Sequence, residues 1–193
     1  MMMDWSALFS QQVMVLSPTL GAVPYASFMI AMITGRLLIT RATKKYHISE
    51  LSKWGGIYGS IMMALGLIIA PPLVDQNPIL ALVVLSVFWA LGGLGLAPIV
   101  PSFFGAAGHV SGLSTSQALA RMSLLNSLAV IGAKVVMGGL AENVGLQIAF
   151  VLPIVLMFVA GVLSGRLAKQ AKRKEAVENA FPITGSLTVI DEL

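Results

Sequence analysis

The sequence contains no cysteine, so neither a disulfide framework nor a thiolate metal site can be built from it. Its two histidines, His47 and His109, lie far apart and belong to no cluster of ligating side chains, so a metal centre is not expected. Charge is scarce as well: 10% of the 193 residues are acidic or basic, against roughly a quarter in soluble globular proteins. There is no nucleophile–base pair, no Walker loop and no paired-carboxylate motif. Enzymatic function therefore has no support, and no cofactor is implied. The start, Met1-Met2-Met3-Asp4-Trp5, lacks the basic region of a cleavable signal peptide.

What the chain has in abundance is apolar surface. Hydrophobic residues make up 57% of it, and its mean hydropathy is +0.90. Water could not solvate so much apolar area, which makes the lipid bilayer the first expected partner. The net charge of +4 does not indicate nucleic acid, because the basic residues gather at the ends of apolar segments. Proline, glycine and charge divide the chain into apolar segments at about residues 18–38, 54–74, 79–104, 117–140 and 146–166. Each is near the ~20 residues needed to cross a bilayer as a helix, and helix is the state that leaves no backbone group unpaired in lipid. The expected fold is an all-α membrane protein of about five transmembrane helices. Residues 1–17 read as the stump of a preceding helix, outside the cytoplasm, and residues 168–193 as a cytoplasmic tail. Within that tail, residues 177–193 read as solvated and largely disordered, with one short apolar patch at 187–190.

The basic residues set an orientation. Arg36, Arg41, Lys44, Lys45 and Lys53 surround the first connection, whereas the second carries only Asp75. Arg121 edges the third, and the fourth holds Glu142 and no base. Arg166, Lys169, Lys172, Arg173 and Lys174 follow the last span. Basic and non-basic connections alternate, which puts the N-terminus outside and the C-terminus in the cytoplasm of a multi-pass cell (inner) membrane protein. Gly108 and His109 belong to the third connection, where the histidine reads as a solvated loop residue.

Inside the membrane three features stand out. The second segment carries Ser52, Gly56 and Ser60, and beside them Gly55 and Gly59. Such small-residue series let helices approach closely, and ordinary packing is their simplest reading. The third segment holds Gly92, Gly93 and Gly95 before Pro98 and Pro101. Each proline removes a backbone hydrogen bond and promotes a kink, either static or a flexible gate. In the fourth, Ser123, Asn126, Ser127 and Lys134 share one arc at 100° per residue, and Gly138 extends it. Lys134 is the only charged side chain well inside a span. It faces a substrate or anion, or else it snorkels outward or pairs helices. None of the eight acids lies at mid-membrane, so only Lys134 could supply a buried titratable group.

The order of several motifs resembles a known family. Asp4-Trp5-Ser6-Ala7, Tyr25-Ala26-Ser27-Phe28, Met32 and Gly35-Arg36-Leu37-Leu38 resemble the seventh-helix exit and eighth helix of a bacterial branch of the major facilitator superfamily (MFS), near the fucose-permease-like and drug-permease-like inner-membrane proteins. Gly93-Leu94-Gly95-Leu96-Ala97-Pro98-Ile99-Val100-Pro101, with Phe104 and Ala106-Ala107-Gly108, is similar to the family's tenth helix. Ser116-Gln117-Ala118-Leu119-Ala120 and Gly138 through Glu142 look like the eleventh. The resemblance covers about residues 4–166 and implies the C-terminal bundle, helices eight to twelve, of a transporter that holds solute between two halves. Two departures stand out. The loop after the family's eighth helix commonly reads Gly-Arg-x-x-Gly-Asp-Arg, whereas here Gly35 and Arg36 are followed by Thr40 and Arg41 with no acid between. Lys134 stands near a position that often holds proline.

These readings imply transport of a small, unspecified solute by a secondary carrier. A separately encoded N-terminal half or a second copy would supply the missing wall. The alternative is a non-transporting truncated remnant or membrane scaffold. Orientation can be checked directly in this cysteine-free chain. Cysteines replacing Asp75 or Glu142 should label from outside intact cells, and one replacing Lys44 should not. The reverse pattern would invert the topology.

Overall fold

The computed structural model describes residues 2–15, 17–107 and 114–180, of which 2–4, 7, 18, 106–107 and 167–180 are described by backbone alone. Gly108, His109 and the apolar patch at 187–190 lie outside the described residues. The chain forms helices α1 (Met2–Gln12), α2 (Pro18–Gly21), α3 (Val23–Ala42), α4 (Ile48–Leu73) and α5 (Pro78–Leu96). These are followed by α6 (Ile99–Ala107), α7 (Thr115–Val144), α8 (Leu146–Ala149) and α9 (Val151–Ala180). No strand occurs among the described residues. Five stretches are long and apolar enough to span a membrane: Thr19–Ala42, Ile48–Leu73, Pro78–Gly105, Thr115–Val144 and Leu146–Arg166. The molecule is thus an all-α, multi-pass membrane protein.

Local chemistry explains where these helices start and stop. Asn77 Oδ1 accepts from the backbone N–H groups of Ile79 and Leu80, at 3.0 and 3.2 Å, and Pro78 opens α5 where no N–H is needed. Ser114 and Gln117 form a reciprocal capping box at the start of α7. That helix stops at Gly145, whose φ of +86° lies where residues with a β-carbon are strained. The α9 backbone runs through the basic segment to Ala180, so residues 177–180 of the expected tail are helical, and residues 181–193 lie outside the described residues. Alanine, lysine, glutamate and glutamine, all good helix formers, dominate residues 168–180.

The bundle is organised around α4 and α5. Helix α4 packs against α5 on one side and α9 on another, and α5 also packs against α3. Two faces of α4 make this possible. On the first, a β-carbon placed on Gly59 would lie 2.8 Å from the Gly92 carbonyl oxygen, and one on Gly95 would lie 2.6 Å from that of Gly55. On the second, a β-carbon on Gly161 of α9 would lie 2.9 Å from the Gly56 α-carbon. Gly55 and Gly59 thus face α5, whereas Gly56 faces α9. Helix α3 meets α5 in the same way, with Gly93 against the Phe28 backbone and Gly35 against Ala97.

Helix α1 completes the core. Phe9 and Met14 have no exposed surface. The Phe9 ring lies 5.1 Å from that of Phe150 and 6.4 Å from that of Trp89, centroid to centroid. The segment expected to be only a stump therefore fills the bundle interior.

These contacts separate two kinds of glycine. Gly95→Val should force α4 and α5 apart and cost about 1–3 kcal/mol, the usual range for overpacking. Gly139, with nothing within 4 Å of an added β-carbon, should accept alanine with an unchanged or higher midpoint. Thermal or detergent unfolding of both variants measures the difference, and equal effects would contradict the crossing.

Candidate functional site

Helix α7 is the least enclosed of the long helices. Only 6% of its most apolar window is buried inside the protein, compared with 44% for the span built on α5. Its arcs differ in character. Ser123, Asn126, Ser127 and Lys134 are all exposed along one arc. On another arc, roughly 80–140° around the helix, Leu124, Leu128, Ile131 and Val135 are exposed. The second arc suits lipid. The first does not, because polar groups in hydrocarbon are costly unless protein or water meets them.

The polar arc also has a definite direction. Three residues beyond Lys134 the same arc reaches Met137, which is 1% exposed and part of the core. A β-carbon on Gly138 would lie 3.8 Å from the Trp5 ring. The polar arc therefore meets the bundle only at the C-terminal end of α7, against α1, and is exposed further back, where the buried residue of the helix is Ala118 on the opposite side. Ser127 Oγ donates to the Ser123 carbonyl oxygen at 3.0 Å, while the Asn126 side chain is exposed.

The second group of sequence candidates lies at the break between α5 and α6. The helix is interrupted at Ala97 and Pro98, where proline has no N–H to continue the ladder. Ser52 Oγ, fully buried on α4, lies 2.9 Å from the Pro98 carbonyl oxygen and 2.8 Å from that of Ile48, so one hydroxyl proton is shared between the two. Gly93 faces α3 and Gly95 faces α4, so both serve the close crossings beside the break. Pro101 lies on α6 and is exposed. The structure thus brings Pro98, Gly93 and Gly95 together and leaves Pro101 to one side.

The loop motif separates in the same manner. Gly35 is buried at the α3–α5 crossing, whereas Arg36 and Arg41 are exposed. Arg36 Nη2 lies 3.4 Å from Met32 Sδ. Thr40, standing where the family has its acid, donates its hydroxyl to the Leu37 carbonyl oxygen at 2.8 Å. Its polar group is satisfied within its own helix.

Sequence reasoning missed the polar content of the core. Among the described residues, Ser6 Oγ, Ser10 Oγ and Trp89 Nε1 are buried and meet no hydrogen-bond partner. Their signal was the spacing of Ser6, Phe9, Ser10 and Val13, which marks one helical face. The short length of residues 1–17 hid it.

The shared Ser52 hydroxyl leads to a test. Ser52→Ala should destabilise the protein by about 0.6 kcal/mol, with 1.7 as the upper end for interhelical hydrogen bonds in membranes. Ser60→Ala should cost less, because Ser60 Oγ bonds only within α4, to Gly56 and Ile57. Unfolding midpoints of the two variants provide the comparison.

No family model matches the chain, and no solved structure matches it. An uncharacterised MFS-type transporter of Yersinia pestis is 29% identical to it over 150 residues, covering 77% of this chain and 36% of that protein. The chain spans about a third of the length of this relative. It is a multi-pass membrane protein similar to an MFS-type transporter.

Proposed function

We propose that the chain forms the C-terminal helices, eight to twelve, of a secondary transporter of the fucose-permease-like branch, moving a small solute by alternating access. The observation that carries this reading is α7: a membrane-length helix with an exposed polar arc that runs into the core at its C-terminal end, beside an exposed apolar arc. That arrangement suits the wall of an aqueous path. Ser123, Asn126, Ser127 and Lys134 line the path, and the break at Pro98 beside Gly93 and Gly95 gives the adjoining wall a place to bend. One end of the path is closed where Trp5 meets Gly138. The facing wall comes from further helices, in the same polypeptide, in a separately encoded N-terminal half or in a second copy. The protein sits in the inner membrane, with its N-terminus outside and its C-terminus in the cytoplasm, as the distribution of basic residues favours.

Thiol chemistry tests the path without knowledge of the solute. A membrane-impermeant maleimide should modify cysteine at Ser127 and at Asn126, and should leave cysteine at Ile131 and Leu128 unmodified in the bilayer. Equal protection at all four positions would remove the aqueous path. Where flux is measurable with the facing helices supplied, Lys134→Ala should abolish it and Gln117→Ala should not.

A further inference from the structure

A second concave region lies at the opposite end of the bundle from α1. The last turns of α3, the first turns of α4 and the end of α5 leave a cleft of about 550 Å³, within the roughly 300–1,000 Å³ of small-ligand sites. Because α3 ends and α4 begins there, the cleft lies at a membrane boundary whichever way the chain is inserted. Leu38, Ile39, Leu51 and Leu94 make its lining apolar, and Tyr46 and Trp54 also line it. Both rings are well exposed, Tyr46 at 50% and Trp54 at 64%. Their amphipathic character suits the headgroup level of a bilayer.

Each ring carries an ammonium. Lys45 Nζ stands 5.6 Å from the Tyr46 ring centroid, and Lys53 Nζ stands 4.9 Å from that of Trp54. Two cations thus stand beside the rings at the cleft's edge; neither lysine lines the cleft itself, and the Lys53 stem packs against Gly165 of α9. Arg36, Arg41 and Lys44 add positive charge in the same connection. Glu50, in the first turn of α4, is the one carboxylate among the lining residues. It is heavily outnumbered by cations.

We propose that this cleft binds an anionic phospholipid, with an acyl chain against the apolar lining and the phosphate held by Lys45 and Lys53. A zwitterionic lipid would bring its own ammonium among these cations, whereas phosphatidylglycerol brings none. The site stands independently of the transport reading, since it needs only the membrane boundary and the cleft.

Trp54 is a built-in reporter. The full chain is placed in phosphatidylcholine nanodiscs containing equal mole fractions of either brominated phosphatidylglycerol or brominated phosphatidylcholine. The brominated phosphatidylglycerol should quench fluorescence more strongly, and the excess should vanish in Trp54→Phe. Lys53→Gln and Lys45→Gln should each lower the relative affinity about fivefold, the share of one cation near an anionic surface. High salt, which shortens screening to about 3 Å at 1 M, should weaken the preference on the unaltered chain, which requires no variant to fold. Equal quenching by both lipids would overturn the proposal, as would a preference that survives both lysine changes or high salt. Displacement by excess glycerol 3-phosphate would also overturn it, by assigning the site to a soluble phosphate. So would cross-linking between two chains through cysteine at position 54, by giving the cleft to a second copy.

Discussion

Everything in this bundle depends on how closely α4 approaches two neighbours at once. Lipid provides no hydrophobic force between helices, so packing and hydrogen bonds must hold them together. Gly55 and Gly59 admit α5 on one side, and Gly56 admits α9 on another. Because these residues are adjacent in sequence, they fall on neighbouring faces of one turn. A shift of α4 that relieved one crossing would tighten the other. The buried Ser52 hydroxyl lies beside the first crossing, where it meets the carbonyl oxygen of Pro98.

The rest of the molecule divides unequally around this centre. Towards the C-terminal end of α7 the interior is filled by α1, through Phe9, Met14, Trp89 and Phe150. Towards the other end the described residues leave the polar arc of α7 and the cleft between α3 and α4 exposed.

Much of the fold was legible in the sequence, for identifiable reasons. Five spans could be read because charge, Lys134 apart, is confined to their ends, so Arg36, Asp75, Arg121, Glu142 and Arg166 punctuate the hydropathy. The polar arc of α7 followed from the 100° periodicity alone. The break at Pro98 followed from proline's missing N–H. Other features were hidden because they are tertiary. Nothing local in Gly55 and Gly56 says which neighbour each will meet. Phe9 lies in a segment too short and polar to be a span, and its burial depends on Trp89 and Phe150, far along the chain. The cleft beside Tyr46 was equally invisible, since it exists only where three helix ends converge.

The spacing of charge on α7 has one more consequence. Arg121 and Glu142 are separated by about 31 Å of helix at 1.5 Å per residue, close to the ~30 Å thickness of the hydrocarbon core. The helix therefore has almost no spare length, and any large tilt or vertical slide would draw one of these ions into lipid. Turning about its own long axis would leave both end charges in place but would carry Lys134, Asn126 and Ser127 towards lipid. The two terminal charges thus act as axial stops, and the polar arc as a rotational one.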